Sequence, residues 1–106
     1  MAQFDVHRNT GRHKDIIPFV VVVQSSQFND YVRRVVVPLV RASSVGAVRF
    51  SAFNPAFTIK GIKVVLHPLE IVSVPASQLG TKAGSLADSS QEIVGALDEL
   101  FSRAWK

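Results

Sequence analysis

The sequence predicts one small, mostly β domain that ends in an α-helix, and three observations carry that reading. The first is a pair of apolar runs, Phe19-Val-Val-Val-Val-Gln24 and Arg33-Arg34-Val-Val-Val-Pro38-Leu39. Their β-branched centres suit neighbouring strands buried on both faces, and both are too short to span a membrane. The second is Phe57 to Leu66, which reads as a hairpin with Lys60-Gly61 at its turn, where glycine takes positive φ at little cost. The third is the tail, where Ile93, Leu97, Leu100 and Ala104 recur at helical spacing.

The elements follow in order. Phe4 and Val6 alternate with Gln3, Asp5 and His7, as expected of a first strand with one wet face. Asn9-Thr10-Gly11 breaks it and opens a polar, basic loop through Lys14. Pro18 is placed at the start of the second strand, where a missing N–H removes no ladder bond. Ser25 to Val32 is a polar stretch suited to a turn, and Pro38 inside the third run argues for an edge or a bulge there. Ser43-Ser44-Val45-Gly46 opens a loop, after which Val48, Phe50 and Phe53 alternate until Asn54-Pro55 interrupts. After the hairpin, Ile71 to Val74 forms a further short strand ended by Pro75. The sequence thus divides into a barrel over 1–77, a Gly/Ser/Thr/Ala-rich connector over 78–87, and a terminal helix over 88–105. Ser89 and Glu92 have capping-box spacing at the helix start. Asp88 and Glu92 near the start, with Arg103 and Lys106 near the end, complement the helix dipole. Phe101 and Trp105 flank the apolar stripe one residue on.

Composition narrows the function classes. At 106 residues, with 47% hydrophobic and 19% charged residues, the chain is a single folded domain rather than a disordered segment. It has no cysteine, which excludes disulfides, thiolate metal sites and a cysteine nucleophile. No basic start precedes an apolar leader, so a cytoplasmic location is expected, with no membrane partner. The net charge is +4, and it is unevenly spread. Residues 1–67 hold nine Lys/Arg against Asp5, Asp15 and Asp30, while residues 68–106 hold three against five acids. Arg8, Arg12 and Lys14 form the one sequence-local basic cluster, without the interleaved aromatics of an RNA-binding surface. Sequence-specific DNA reading by this chain alone is therefore not expected, whereas an acidic partner is.

Catalytic signals are weak. His7, His13 and His67 lack metal-ligand spacing, and the paired serines at 25/26, 43/44 and 89/90 sit in turn or cap contexts without a nucleophile elbow. Gly80 to Ser85 supplies glycines and a lysine in the wrong order for a phosphate loop. The chain is read as a binding protein, not an enzyme, with no cofactor. Trp105 must pack inward, pack across a twofold axis, or anchor a partner, since a terminal aromatic is costly to expose.

The wording of these runs extends the reading. Gln3-Phe4-x-Val6, Phe19-Val20-x-Val22-x-Gln24-Ser25 and Arg33-Arg34-x-Val36-x-Pro38-Leu39 resemble the CcdB family of plasmid and chromosomal toxins. Asn54-Pro55-x-Phe57-x-Ile59-x-Gly61 and Val72-Ser73-Val74-Pro75-x-Ser77-x-x-Gly80 extend the resemblance along nearly the whole chain, Gln3 to Phe101. It implies a five-stranded SH3-like barrel with a terminal helix, and a homodimer that wedges two paired helix tips into the A subunit of DNA gyrase and traps the enzyme with its DNA cleaved. It also implies plasmid maintenance, transcriptional autoregulation, and neutralisation by a flexible, acidic CcdA-like antitoxin. By that resemblance, Phe101, Arg103, Ala104, Trp105 and Lys106 are candidate gyrase contacts, with Phe28 as an accessory; Arg8, Arg12 and Lys14 are candidate antitoxin contacts. Two departures stand out. The family's Phe-Trp-Gly-Ile ending is replaced by Phe101-Ser-Arg-Ala-Trp105-Lys106, which moves the tryptophan by about one helical turn. The family's paired isoleucines after the second strand are Gln27 and Phe28.

Two rival expectations accompany this one. A non-toxic relative would keep the fold and bind antitoxin as a decoy or co-repressor. An endoribonuclease toxin of the related barrel would need Arg33 or Arg34 poised with Ser43 or Thr58.

Overall fold

The computed structural model describes residues 1–45 and 52–102. They form a curled antiparallel sheet wrapped against one C-terminal helix. Seven strands contribute: β1 (Asp5–Arg8), β2 (Phe19–Val22), β3 (Arg33–Arg41), β4 (Ala56–Ile59), β5 (Ile62–Leu66), β6 (Val72–Pro75) and β7 (Lys82–Ser85), followed by α1 (Ser90–Ser102). Along the sheet the order is β4-β5-β3-β2-β1-β7, with β6 also paired to β3. The small barrel with a terminal helix is thus the fold, built from seven short strands rather than five. Val48 and Phe50 lie outside the described residues, and Phe53 sits in a turn.

The two valine runs behave as their composition demands. β2 is buried at every position, and Val21, Val37 and Leu39 are fully buried within the main core. That core collects Phe4, Val6, Phe19, Phe57, Ile59, Val64 and Leu66 from the sheet, and closes on Leu86, Ile93 and Ala96. Complete burial of Ile93 alone contributes about 1.5–3 kcal/mol toward docking the helix. On the opposite face, Val20, Val22 and Val36 form a second cluster covered by Val74 and Leu79. Strands covered on both faces are what continuous valine runs require.

The hairpin turn matches its sequence. Lys60 (φ 49°) and Gly61 (φ 79°) both adopt positive φ between the paired Ile59 and Ile62, the signature of a two-residue turn that follows the sheet's twist. Pro18 precedes β2, and its carbonyl accepts from Asn9 N at 2.9 Å.

Four local expectations are corrected. Asp5 and His7 are buried rather than facing water, at 5% and 8% exposure. The cause lies in the stretch expected to be a connector: residues 82–85 form β7 along the edge of β1, and Leu79 and Gly80 just before it lie over the face that carries His7, Val20 and Val22. Lys82 Nζ lies 3.3 Å from Asp5 Oδ1, and the Gly80 carbonyl lies 2.9 Å from His7 Nδ1. Pro38 marks neither an edge nor a bulge. β3 pairs with β2 on one side; on the other its partner changes from β6 at residues 33–36 to β5 at 39–41, and Pro38 sits at that change. Its carbonyl still accepts from His67 N at 3.0 Å, so the missing N–H costs one bond where β5 already ends. The Ser89/Glu92 capping pair is also absent. A 3₁₀ turn, Ala87–Ser89, runs directly into α1, and Ser89 N already donates to Leu86 O at 2.9 Å. The side-chain cap nearby is Ser85 Oγ, which accepts from Ala87 N at 3.2 Å.

Candidate functional site

The helix end is the first candidate surface. Ile93 and Ala96 are buried and Leu97 and Leu100 half-buried, so α1 commits one face to the sheet. Val94 and Phe101 lie seven residues apart, hence on a common helical face, and are 46% and 65% exposed. Phe101 stands about 16 Å along the axis from Ser90, at about 1.5 Å per residue. Arg103, Ala104, Trp105 and Lys106, also expected at this tip, lie outside the described residues.

Phe28 is held differently. It ends the 3₁₀ turn Ser26–Phe28 and is 55% exposed; Tyr31 and Val32 nearby are 62% and 68% exposed. The backbone that displays them is stitched from beneath. Gln24 Nε2 donates to Phe28 O and Arg33 O at 3.2 and 3.3 Å, while Gln24 Oε1 accepts from Val35 N at 3.0 Å. The buried Arg34 guanidinium donates to Asn29 O and Arg33 O, both at 2.9 Å, and to Tyr31 O. Buried polar groups are stable only when partnered, so Gln24 and Arg34 set the loop's shape and leave its apolar side chains to solvent. The sequence marks both only as members of the runs that resemble the family, and Arg34 as a ribonuclease candidate, not as the supports of this loop. The loop lies at the sheet end where the chain enters α1, and Phe101 is at the far end of that helix.

The basic cluster occupies the opposite end of the sheet. Arg8 terminates β1, with its guanidinium 5.7 Å from the Phe19 ring centroid. Arg12 and Lys14 are exposed in the following loop. That loop is fastened to the end of β3, where Arg41 N donates to Ile16 O at 2.7 Å and Arg41 Nε to Asp15 O at 3.0 Å. Arg41 thus joins Arg8, Arg12 and Lys14, which the sequence alone could not show because strand register brings it there.

The pairing of Arg33 or Arg34 with Ser43 or Thr58, which the ribonuclease expectation names, does not form. Arg34 is occupied as described, and Arg33 donates to Ser73 Oγ at 2.9 Å and Ser73 O at 2.7 Å. Ser43 follows the other end of β3, about 26 Å along the strand at roughly 3.3 Å per residue. Thr58 pairs with Lys63 beyond that same end. Among the described residues, no cluster of His, Asp and Glu could hold a metal ion, and no helix is long and apolar enough to cross a membrane.

Comparisons with known proteins accord with this geometry. The chain is similar in structure to an endoribonuclease in complex with its cognate antitoxin from a mycobacterial species (TM-score 0.76, 15% identity, covering 100% of this chain and 99% of the other). It is similar as well to the Mycobacterium tuberculosis toxin MazF-mt6 (TM-score 0.72, 17% identity, covering 95% and 99%). At such identities these likenesses establish the shared barrel alone. No curated protein sequence matches the chain significantly. The family model described as CcdB protein matches residues 3–102, so this chain belongs to the CcdB family, the toxins of toxin–antitoxin pairs.

Proposed function

We propose that this protein is a gyrase poison, which binds the A subunit of DNA gyrase through its helix tip and traps the enzyme with its DNA cleaved. The observation that carries the reading is Phe101, 65% exposed at the end of a helix whose other face is committed to the core, in a chain matched by the CcdB model over residues 3–102. An aromatic held in solvent by a rigid element has little conformational entropy to lose on binding, which suits an anchor. Trp105, four residues later in the sequence, is the second anchor of this proposal, Arg103, Ala104 and Lys106 are its further contacts, and Phe28 is an accessory contact from its stitched loop. The protein acts by occupancy, without catalysis or cofactor, in the cytoplasm where its target works.

The exposed Val94/Phe101 face supports helix pairing in a homodimer, because pairing would cover apolar surface that the monomer leaves wet. A flexible, acidic CcdA-like antitoxin neutralises the toxin by laying carboxylates against Arg8, Arg12 and Lys14 and ordering as it binds. Plasmid maintenance and transcriptional autoregulation follow from that pairing.

The test is induced expression with and without Phe101→Ala, read as growth and as gyrase-linked DNA cleavage. Growth arrest with raised cleavage, both lost in the variant at unchanged melting temperature, is expected. Arrest without any change in gyrase cleavage would refute the target, and degraded total RNA in the same cells would favour ribonuclease action. Harmless expression with tight antitoxin binding would favour the decoy.

A further inference from the structure

The charge asymmetry becomes sharper in three dimensions than along the chain. Register pairs Arg8 with Phe19, Phe19 with Leu39, and Arg41 with Val64, so the C-terminal ends of β1 and β3 point the same way as the β4–β5 turn. Lys60 lies in that turn, and Lys63 pairs with Thr58 just before it; both are exposed. One end of the sheet therefore gathers Arg8, Arg12, Lys14, Arg41, Lys60 and Lys63 around a single acid, Asp15. Toward the other end Asp5, Asp30 and Asp88, where β1 begins, β2 passes to β3 and the chain enters the helix, are offset by Arg33, Arg34 and Lys82, so that end carries no comparable excess.

We infer that this cationic end is a docking surface for the phosphate backbone of duplex DNA, bound without regard to sequence. The cations come from separate strand ends and a turn, spread over several strands spaced about 4.8 Å apart, so they present a broad face rather than a single point of contact. Arg8 and Arg41 are already oriented, one over the Phe19 ring and the other by the Asp15 carbonyl, so less side-chain freedom is lost on contact. Among the described residues of this end, Ile16 is the sole large exposed apolar side chain and none is an exposed aromatic suited to base stacking. Beyond the Arg8–Lys14 loop and its Ile16, Lys60 and Lys63 have no large exposed apolar side chain among the described residues beside them to seat a folding peptide, so this part of the surface suits phosphates. The antitoxin contacts proposed above use the Arg8–Lys14 loop, whereas Arg41, Lys60 and Lys63 extend the surface beyond them. The inference stands whether or not gyrase is the target.

The test measures fluorescence anisotropy of the purified protein with a labelled duplex of about 20 bp and arbitrary sequence, across a salt series. With about four phosphate contacts, affinity should fall roughly 100-fold between about 50 and about 200 mM salt. The triple variant Arg41→Gln/Lys60→Gln/Lys63→Gln should flatten the logarithmic salt slope by about 2.7, while Arg33→Gln at the other end leaves it unchanged. Circular dichroism and melting temperature establish that both variants are folded. Absence of duplex binding at low salt, an unchanged slope in the triple variant, or tighter binding of polyglutamate or single-stranded RNA than of duplex would each overturn the inference. None of these results bears on whether gyrase cleavage depends on Phe101, so the two proposals fail separately.

Discussion

Replacing Gly80 by alanine tests how the strap over residues 76–81 holds the first strand. An added Cβ would lie 2.7 Å from the Arg8 carbonyl oxygen, 3.1 Å from Arg8 Cβ and 3.1 Å from Thr10 Cγ2. The first distance is too short for any carbon–oxygen contact, and the obstacle is backbone in a paired strand, so the strap must lift. Lifting weakens the bond from Gly80 N to Arg8 O (3.1 Å) and strains the His7 Nδ1 contact with Gly80 O (2.9 Å). Each is worth about 1 kcal/mol net, and overpacking adds about 1–3 kcal/mol, so a loss of about 3–5 kcal/mol is expected. The loss should be larger if Leu79, which covers Val20, Val22 and Val36, is dislodged as well. For a domain of this size the melting temperature should fall by roughly 12–22 °C in calorimetry. A change below about 1 kcal/mol would mean that the strap is loosely attached, and the account of why Asp5 and His7 are buried would fail with it.

The same substitution one element later should have the opposite sign. Gly95 lies inside α1 with no described atom within 4 Å of an added Cβ, so Gly95→Ala should stabilise by about 0.5–1 kcal/mol, seen as a higher denaturation midpoint. Ile93→Ala should cost about 2–5 kcal/mol in urea unfolding and release the helix, because the side chain is fully buried where the helix meets the sheet. Gln24→Leu should cost about 2–3 kcal/mol by removing three hydrogen bonds beneath the Phe28 loop, with faster amide exchange at Phe28 and Val35.

What could be read from the sequence was local. Two valine runs demanded burial on both faces, Lys60-Gly61 demanded a tight turn, and the spacing of Ile93, Leu97 and Leu100 demanded a helix with one committed face. Each of these depends on residues within a few positions of one another. Phe101 and Phe28 are nominated as contacts by the family resemblance rather than by any local pattern.

The tertiary structure decided what depends on distant partners. Lys82-Ala-Gly-Ser85 has little strand propensity and becomes a strand because β1 offers it an unpaired edge; this in turn buries Asp5 and His7, whose alternation reads as a wet face in isolation. Pro38 is tolerated in a central strand because β6 hands over to β5 beside it, and Arg34 is buried because the carbonyls of Asn29 and Tyr31 in the preceding loop and of Arg33 converge on it. Arg41, Lys60 and Lys63 share an end of the molecule with Arg8 solely through register. Pairing between strands far apart in the chain sets which polar groups find partners and which charges stand together, and neither propensity nor periodicity carries that information.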